Sequence, residues 1–149
     1  MTQFLETTVD KFTFKVATDR LYTDHHLWVR AENGLVRVGM TDYLQQRSGD
    51  VAFAEVAPAG ARLARGDDLG TVETIKVTVV LSSPVSGAVR EANTALIDAP
   101  EVVNQDPYGA GWLALVETDD WPADKAALID AQAYLRLMQL EAEGEANKT

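Results

Sequence analysis

Short runs rich in Val, Leu and aromatic residues fill the middle of the chain, punctuated by Gly, Pro, Asn and Asp. Runs of this kind between turn residues predict β-strands. Trp28-Val29-Arg30-Ala31 and Leu35-Val36-Arg37-Val38 flank Glu32-Asn33-Gly34. An Asn-Gly pair tolerates positive φ at both positions, so a hairpin turn is expected there. Asp50 to Val56 alternates and would place Val51, Phe53 and Glu55 on one face. Pro58, Gly60, Gly66 and Gly70 mark successive turns, and the runs Gly70 to Leu81 and Val85 to Glu91 follow. Trp112 to Glu117 reads as a further buried strand. Helical signals are fewer. Thr41 is placed to cap a short helix that Ser48-Gly49 stops, and Ala99 to Asn104 suggests a helical turn. From Pro122 to Glu143 the spacing becomes helical, with Leu128, Tyr134, Leu135 and Met138 directed inward and Asp130 capping the second of two C-terminal helices. The expected fold is mainly β, a small sandwich or barrel, with a short internal helix and C-terminal helices.

Composition narrows the function. A length of 149 residues fits one domain, and 46% apolar residues can bury a core. Lys plus Arg total 13 against 23 Asp plus Glu, a net charge of −10. That balance supplies no basic footprint for nucleic acid or for an anionic membrane. Cysteine is absent, which removes disulfides, thiolate metal sites and Cys nucleophiles. No apolar run is long enough to span a bilayer, and the N-terminal residues have neither a secretory nor a transit pattern. A cytoplasmic, monomeric protein is the expectation. His25 and His26 are adjacent, and neighbouring strand residues point to opposite faces. A shared metal is therefore not expected, and a structural role is assigned to His26. Trp28 and Trp112 are read as core aromatics, and the Tyr134-Leu135-Leu137-Met138 stripe as helix packing.

Chemistry concentrates at one amine. Val72-Glu73-Thr74-Ile75-Lys76-Val77-Thr78-Val79-Val80 is β-rich with a single cation, and the next basic residue is Arg90. Lys76 is either a strand lysine facing solvent or a lysine displayed at a hairpin tip for covalent modification. Acylation there would remove the charge and leave a long apolar arm. Nucleophile–base arrangements, phosphate loops and metal-ligand clusters are lacking, which argues against an enzyme.

Six segments then resemble, in order, those of glycine cleavage system H proteins. They are Tyr22-Thr23 through His26-Leu27-Trp28-Val29, Val38-Gly39-Met40-Thr41-Asp42-Tyr43, Gly49-Asp50-Val51-Ala52-Phe53, Val72-Glu73-Thr74-Ile75-Lys76, Ser83-Pro84-Val85-Ser86-Gly87, and Val103-Asn104-Gln105-Asp106-Pro107-Tyr108-Gly109 with Trp112. The resemblance runs from about Tyr22 to Tyr134 and implies a lipoyl-domain-like barrel-sandwich hybrid. It divides the chain into an N-terminal extension (1–21), one lipoyl-carrier domain (22–143) and a flexible tail (144–149). It also implies lipoate on Lys76, with Glu73 three residues before and Gly87 eleven after completing the attachment pattern. Biotin fits less well, because that family favours Met on both sides of its lysine.

The resemblance implies carriage, in which the cofactor supplies the chemistry and the protein its placement. The implied partners are a lipoate ligase or lipoyltransferase, a glycine decarboxylase, a folate-dependent aminomethyltransferase and a lipoamide dehydrogenase. Two family carboxylates are replaced, by Leu27 and Val80. An aminomethyl cargo is cationic and would lose their pairing. This opens an alternative, carriage of sulfur intermediates for a heterodisulfide-reductase-like oxidation system; relay of lipoyl groups to other acceptors would share Glu73, Lys76 and Gly87 and stays open.

Overall fold

The computed structural model describes residues 2–147. The N-terminal half of the chain supplies β1 (Phe4–Val9), β2 (Phe12–Ala17), β3 (Leu21–Tyr22), β4 (Leu27–Glu32), β5 (Leu35–Met40), α1 (Asp42–Ser48) and β6 (Val51–Val56). The next strands are β7 (Arg62–Leu63), β8 (Asp68–Thr74), β9 (Thr78–Ser82) and β10 (Gly87–Ala92). The remaining elements are α2 (Ala95–Asp98), α3 (Val102–Gln105), β11 (Ala114–Thr118), α4 (Trp121–Ala126) and α5 (Ala131–Ala146). Strands pair as β3-β4-β5-β11-β10-β7 in one sheet, β6-β8-β9 in a second and β1-β2 as a separate hairpin.

Local chemistry explains the boundaries. Asn33 and Gly34 take positive φ between β4 and β5, where only residues tolerant of the left-handed region fit. The Thr41 side chain accepts from Leu44 N and opens α1, and Asp130 accepts from Ala133 N at 2.8 Å to open α5. Each satisfies an amide at the helix start that has no partner within the helix.

Two apolar clusters hold the fold together. The main one joins the two larger sheets through residues such as Leu27, Val38, Met40, Val72, Leu81 and Val116. The second lies between the β1–β2 hairpin and α5 and includes Phe14, Val16, Tyr22, Trp28, Tyr43, Tyr134 and Met138. Tyr22 and Tyr134 stack with ring centroids 4.5 Å apart. Residues 4–17, set apart on sequence as part of an extension, thus form a paired hairpin with a buried face. The Phe-Thr-Phe-Lys-Val alternation after Asp10-Lys11 carries that pattern. Helix α5 runs to Ala146, so residues 144–146 are helical rather than a flexible tail. Lys148 and Thr149 lie outside the described residues.

Two strand expectations need correction. Val51 and Phe53 do not share a face: Val51 is buried, Phe53 is 69% exposed, and the β6–β8 register shifts between them. A bulge inserts one residue and breaks the alternation that sequence spacing assumes. Trp112 is only half-buried, with the Arg37 guanidinium 4.4 Å from its ring centroid.

His25 and His26 occupy a turn before β4, not a strand. His26 is 3% exposed and has φ 69°. Its Nδ1 lies 2.8 Å from the Tyr134 hydroxyl and its Nε2 2.5 Å from Glu141. The Tyr134 hydroxyl is also 2.8 Å from Thr41 Oγ1. One assignment satisfies every partner: neutral His26 donates from Nε2 to Glu141, Tyr134 donates to Nδ1, and Thr41 donates to Tyr134. Burial holds the His26 imidazole below its ordinary value of 6.5, with Glu141 opposing and Arg47 reinforcing the shift. Below that value the unfolded chain binds more protons than the folded one. The stability contribution is therefore present above the unfolded value and is lost as pH falls through the window beneath it. Thermal denaturation from about pH 7.5 down to about pH 5.5 is expected to show a steeper loss of Tm in the wild type than in His26→Gln. Parallel curves would acquit His26 of that role.

Candidate functional site

The tip between β8 and β9 is built around one hydroxyl. Thr74 Oγ1 accepts from Lys76 N at 3.2 Å and Val77 N at 3.0 Å and donates to Val77 O at 3.1 Å. Thr74 N donates to Val77 O at 2.9 Å. Together these bonds clamp a three-residue loop, Ile75-Lys76-Val77, as a side-chain-mediated turn. Ile75 is 93% and Val77 45% exposed, so the loop projects from the fold. Lys76 is exposed, and its Nζ donates to Arg47 O at 3.2 Å, at the last turn of α1. The amine is not packed inside the protein.

Register places Glu73 beside the tip. Phe53, Glu73 and Thr78 pair across β6, β8 and β9, so their side chains share the exposed face of this sheet. Glu73 is exposed and makes no ion pair among the described residues. Gly87 is elsewhere. It opens β10 in the six-stranded sheet, opposite Leu63 and Thr118. Its φ is not in the left-handed range, so turn geometry does not require glycine there. A Cβ at Gly87 would meet Glu117 O at 2.1 Å and Thr118 Cα at 2.9 Å. Close approach of β11 is the physical reason for glycine at that position.

Leu27 and Val80 do not converge on one surface. Leu27 belongs to the main core at 1% exposure, whereas Val80 is 54% exposed and pairs with Thr71, two residues up the hairpin from Glu73. A carboxylate at position 27 would have to be buried among apolar neighbours, which is costly without a partner.

Sequence reasoning did not single out Thr74, Arg47 and Tyr43. A hydroxyl two residues before the displayed lysine was a readable signal for Thr74. Arg47 and Tyr43 both come from α1: the Arg47 carbonyl meets Lys76 only through the tertiary fold, and Tyr43 lines the same concavity as Lys76. Tyr43 is 2% exposed, and its hydroxyl is buried without a hydrogen-bond partner among the described residues. Burial pushes its phenol above the ordinary value, and the nearby Arg47 cation only partly offsets this. Among the described residues no group of His, Asp and Glu is placed to hold a metal ion. No described helix is long and apolar enough to cross a membrane.

A small β-sandwich that presents one exposed lysine on a clamped hairpin tip has the architecture of a carrier domain. The glycine cleavage H-protein family model matches residues 20–141, and the chain belongs to that family. It is 45% identical over 116 residues to the glycine cleavage system H protein of Salinibacter ruber, covering 78% of this chain and 93% of that protein. It is 39% identical over 126 residues to the glycine cleavage system H protein 4 of Aquifex aeolicus, covering 85% of this chain and 73% of that protein. The crystal structure of a glycine cleavage system H protein from Mycobacterium marinum superposes with a TM-score of 0.71 at 34% identity, covering 78% of this chain and 94% of that one. Membership implies a non-catalytic lipoyl carrier.

Proposed function

We propose that Lys76 is the lipoyl attachment site, with Glu73 read by the attaching enzyme, and that the protein carries an aminomethyl group derived from glycine. The observation that supports this most directly is an exposed amine on a rigid tip, preceded three residues earlier by an exposed carboxylate, in a chain of this family. The residues fit the cofactor: Nζ is exposed with one hydrogen bond, to a backbone carbonyl, and amide formation would replace one of its N–H bonds by a bond to the acyl carbon. When attached, the dithiolane supplies the redox and group-binding chemistry. The chain fixes the arm's origin through Thr74, while exposed Ile75 and Val77 leave the approach open. Glycine decarboxylase, aminomethyltransferase and lipoamide dehydrogenase would use the same arm in turn. The high local concentration that a tether confers lets each docking event remain weak. The net charge of −10 favours encounter with basic partner faces.

Intact mass of protein from lipoate-supplied cells tests the attachment: one lipoyl amide is expected, and an unchanged mass refutes it. Cargo is tested separately, by mixing lipoylated protein with a glycine decarboxylase and carboxyl-labelled glycine. Label exchange with bicarbonate supports the aminomethyl reading. No exchange, under conditions where a conventional H protein exchanges, overturns it in favour of sulfur carriage.

A further inference from the structure

Eight large apolar side chains stand exposed among the described residues, and five of them, Phe53, Ile75, Val77, Val80 and Ile97, gather on the β6-β8-β9 sheet, its tip and the adjoining α2. Register explains the gathering. Phe53, Glu73 and Thr78 form one row across β6, β8 and β9, and Glu55, Thr71 and Val80 form the next. Residues paired across strands, or two apart along one, share a face. Both rows therefore look outward, while Val72 and Leu81 alternate with them and enter the main core. Ile97 of α2 borders the same surface: with Phe53, Glu55, Thr71 and Glu73 it lines a concavity of about 410 Å³. Single exposed apolar residues are ordinary, but a contiguous group marks an interaction site.

The border of this patch is acidic. Glu55, Glu73 and Asp98 are exposed, and none forms an ion pair among the described residues. The two rows contain neither Lys nor Arg. The complementary surface is thus an apolar patch bordered by Lys and Arg. Val80, at one of the two positions where a family carboxylate is replaced, enlarges the apolar part.

Reach selects the partner. An enzyme that acylates Lys76 finds no arm in place, so its catalytic centre must come to Nζ itself. Its body then covers the tip and the surface next to it. Val80 is four residues from Lys76, at most about 13 Å along the chain. Enzymes that act later, on the far end of the arm, can stand off by the arm's length. We infer that the exposed face of the β6-β8-β9 sheet, centred on Phe53 and Ile97, docks the attaching enzyme through an apolar patch set between basic side chains. The inference rests on Lys76 being the attachment site. It makes Glu73 one contact on an extended face and gives Val80 a use.

The test follows acylation of the unmodified full chain by a purified lipoate ligase with lipoate and MgATP, read by intact mass. In that reaction deprotonated Nζ bonds the acyl carbon of the lipoyl adenylate, loses a second proton and releases AMP. Phe53→Ser and Ile97→Ser alter exposed side chains and are expected to keep the wild-type Tm. Each is expected to raise the KM for the protein roughly ten-fold, as loss of an interface anchor does, with kcat unchanged. Glu55→Lys combined with Asp98→Lys is expected to raise KM as well and to flatten its dependence on salt. Unchanged KM in all three variants, with the wild type acylated, would overturn the docking face and leave the attachment intact. Absence of added mass on the wild type would remove both. Each lipoylated variant is then reduced by a lipoamide dehydrogenase, the hydride of NADH and a proton converting the arm's disulfide to two thiols. A wild-type rate is expected there. Slowing as large as in acylation would give the face to enzymes that use the arm and overturn its assignment to the attaching enzyme.

Discussion

Protein carrying Lys76→Arg is expected to emerge from lipoate-supplied cells with no added mass and with unaltered stability. Arginine retains the positive charge and can still donate to the Arg47 carbonyl, 3.2 Å from Nζ in the wild type. The loop itself is held by Thr74 Oγ1 and two backbone amides, which the substitution leaves in place. Exposed substitutions away from special backbone features usually shift stability by no more than about 0.5 kcal/mol. Loss of acylation with an unshifted Tm would therefore report the missing amine and not a damaged tip. Added mass persisting in Lys76→Arg would move the attachment to another of the chain's lysines and end the proposed assignment.

The second large effect is on stability. Gly87→Ala is expected to destabilise the unmodified protein by about 1–3 kcal/mol or more, because the new methyl collides with backbone of β11 rather than with a movable side chain. At this chain length each kcal/mol corresponds to roughly 2–4 °C in Tm, so a drop of about 2–12 °C should be visible by thermal denaturation. The family pattern presents the same residue as part of the attachment signature. Gly87 lies in a different sheet from the β8–β9 hairpin that carries Lys76, so the two roles can be separated. A variant as stable as wild type but poorly acylated would favour recognition. A variant that unfolds early yet is still acylated at low temperature would favour packing.

Much of this architecture could be read from single residues. Asn33-Gly34, Thr41 and Asp130 act on their own neighbourhoods, so their effects survive without tertiary information. The tip was legible for the same reason, a lone cation inside a β-rich run. What escaped depended on distant parts of the chain. The bulge between Val51 and Phe53 is a property of pairing with β8 and not of β6 alone. The approach of α1 to Lys76 spans 29 residues of sequence. Glycine at position 87 looked like a motif letter, and only the position of β11 shows what its missing side chain makes room for. The N-terminal hairpin is a different case. Its alternation was present, but it lies before the segment that resembles the family and was set aside with it.

The hydroxyl of Thr74 has a consequence for timing. A lysine on a loose loop would sweep its load through a volume blurred by backbone motion, and successive enzymes would have to wait for the loop as well as the tether. Here the pivot is pinned on both sides, so an arm attached as proposed would turn about its side-chain and acyl bonds from a fixed origin. Rotations about those single bonds, which exposed side chains complete in picoseconds to nanoseconds, would then be far faster than one turnover at a partner enzyme.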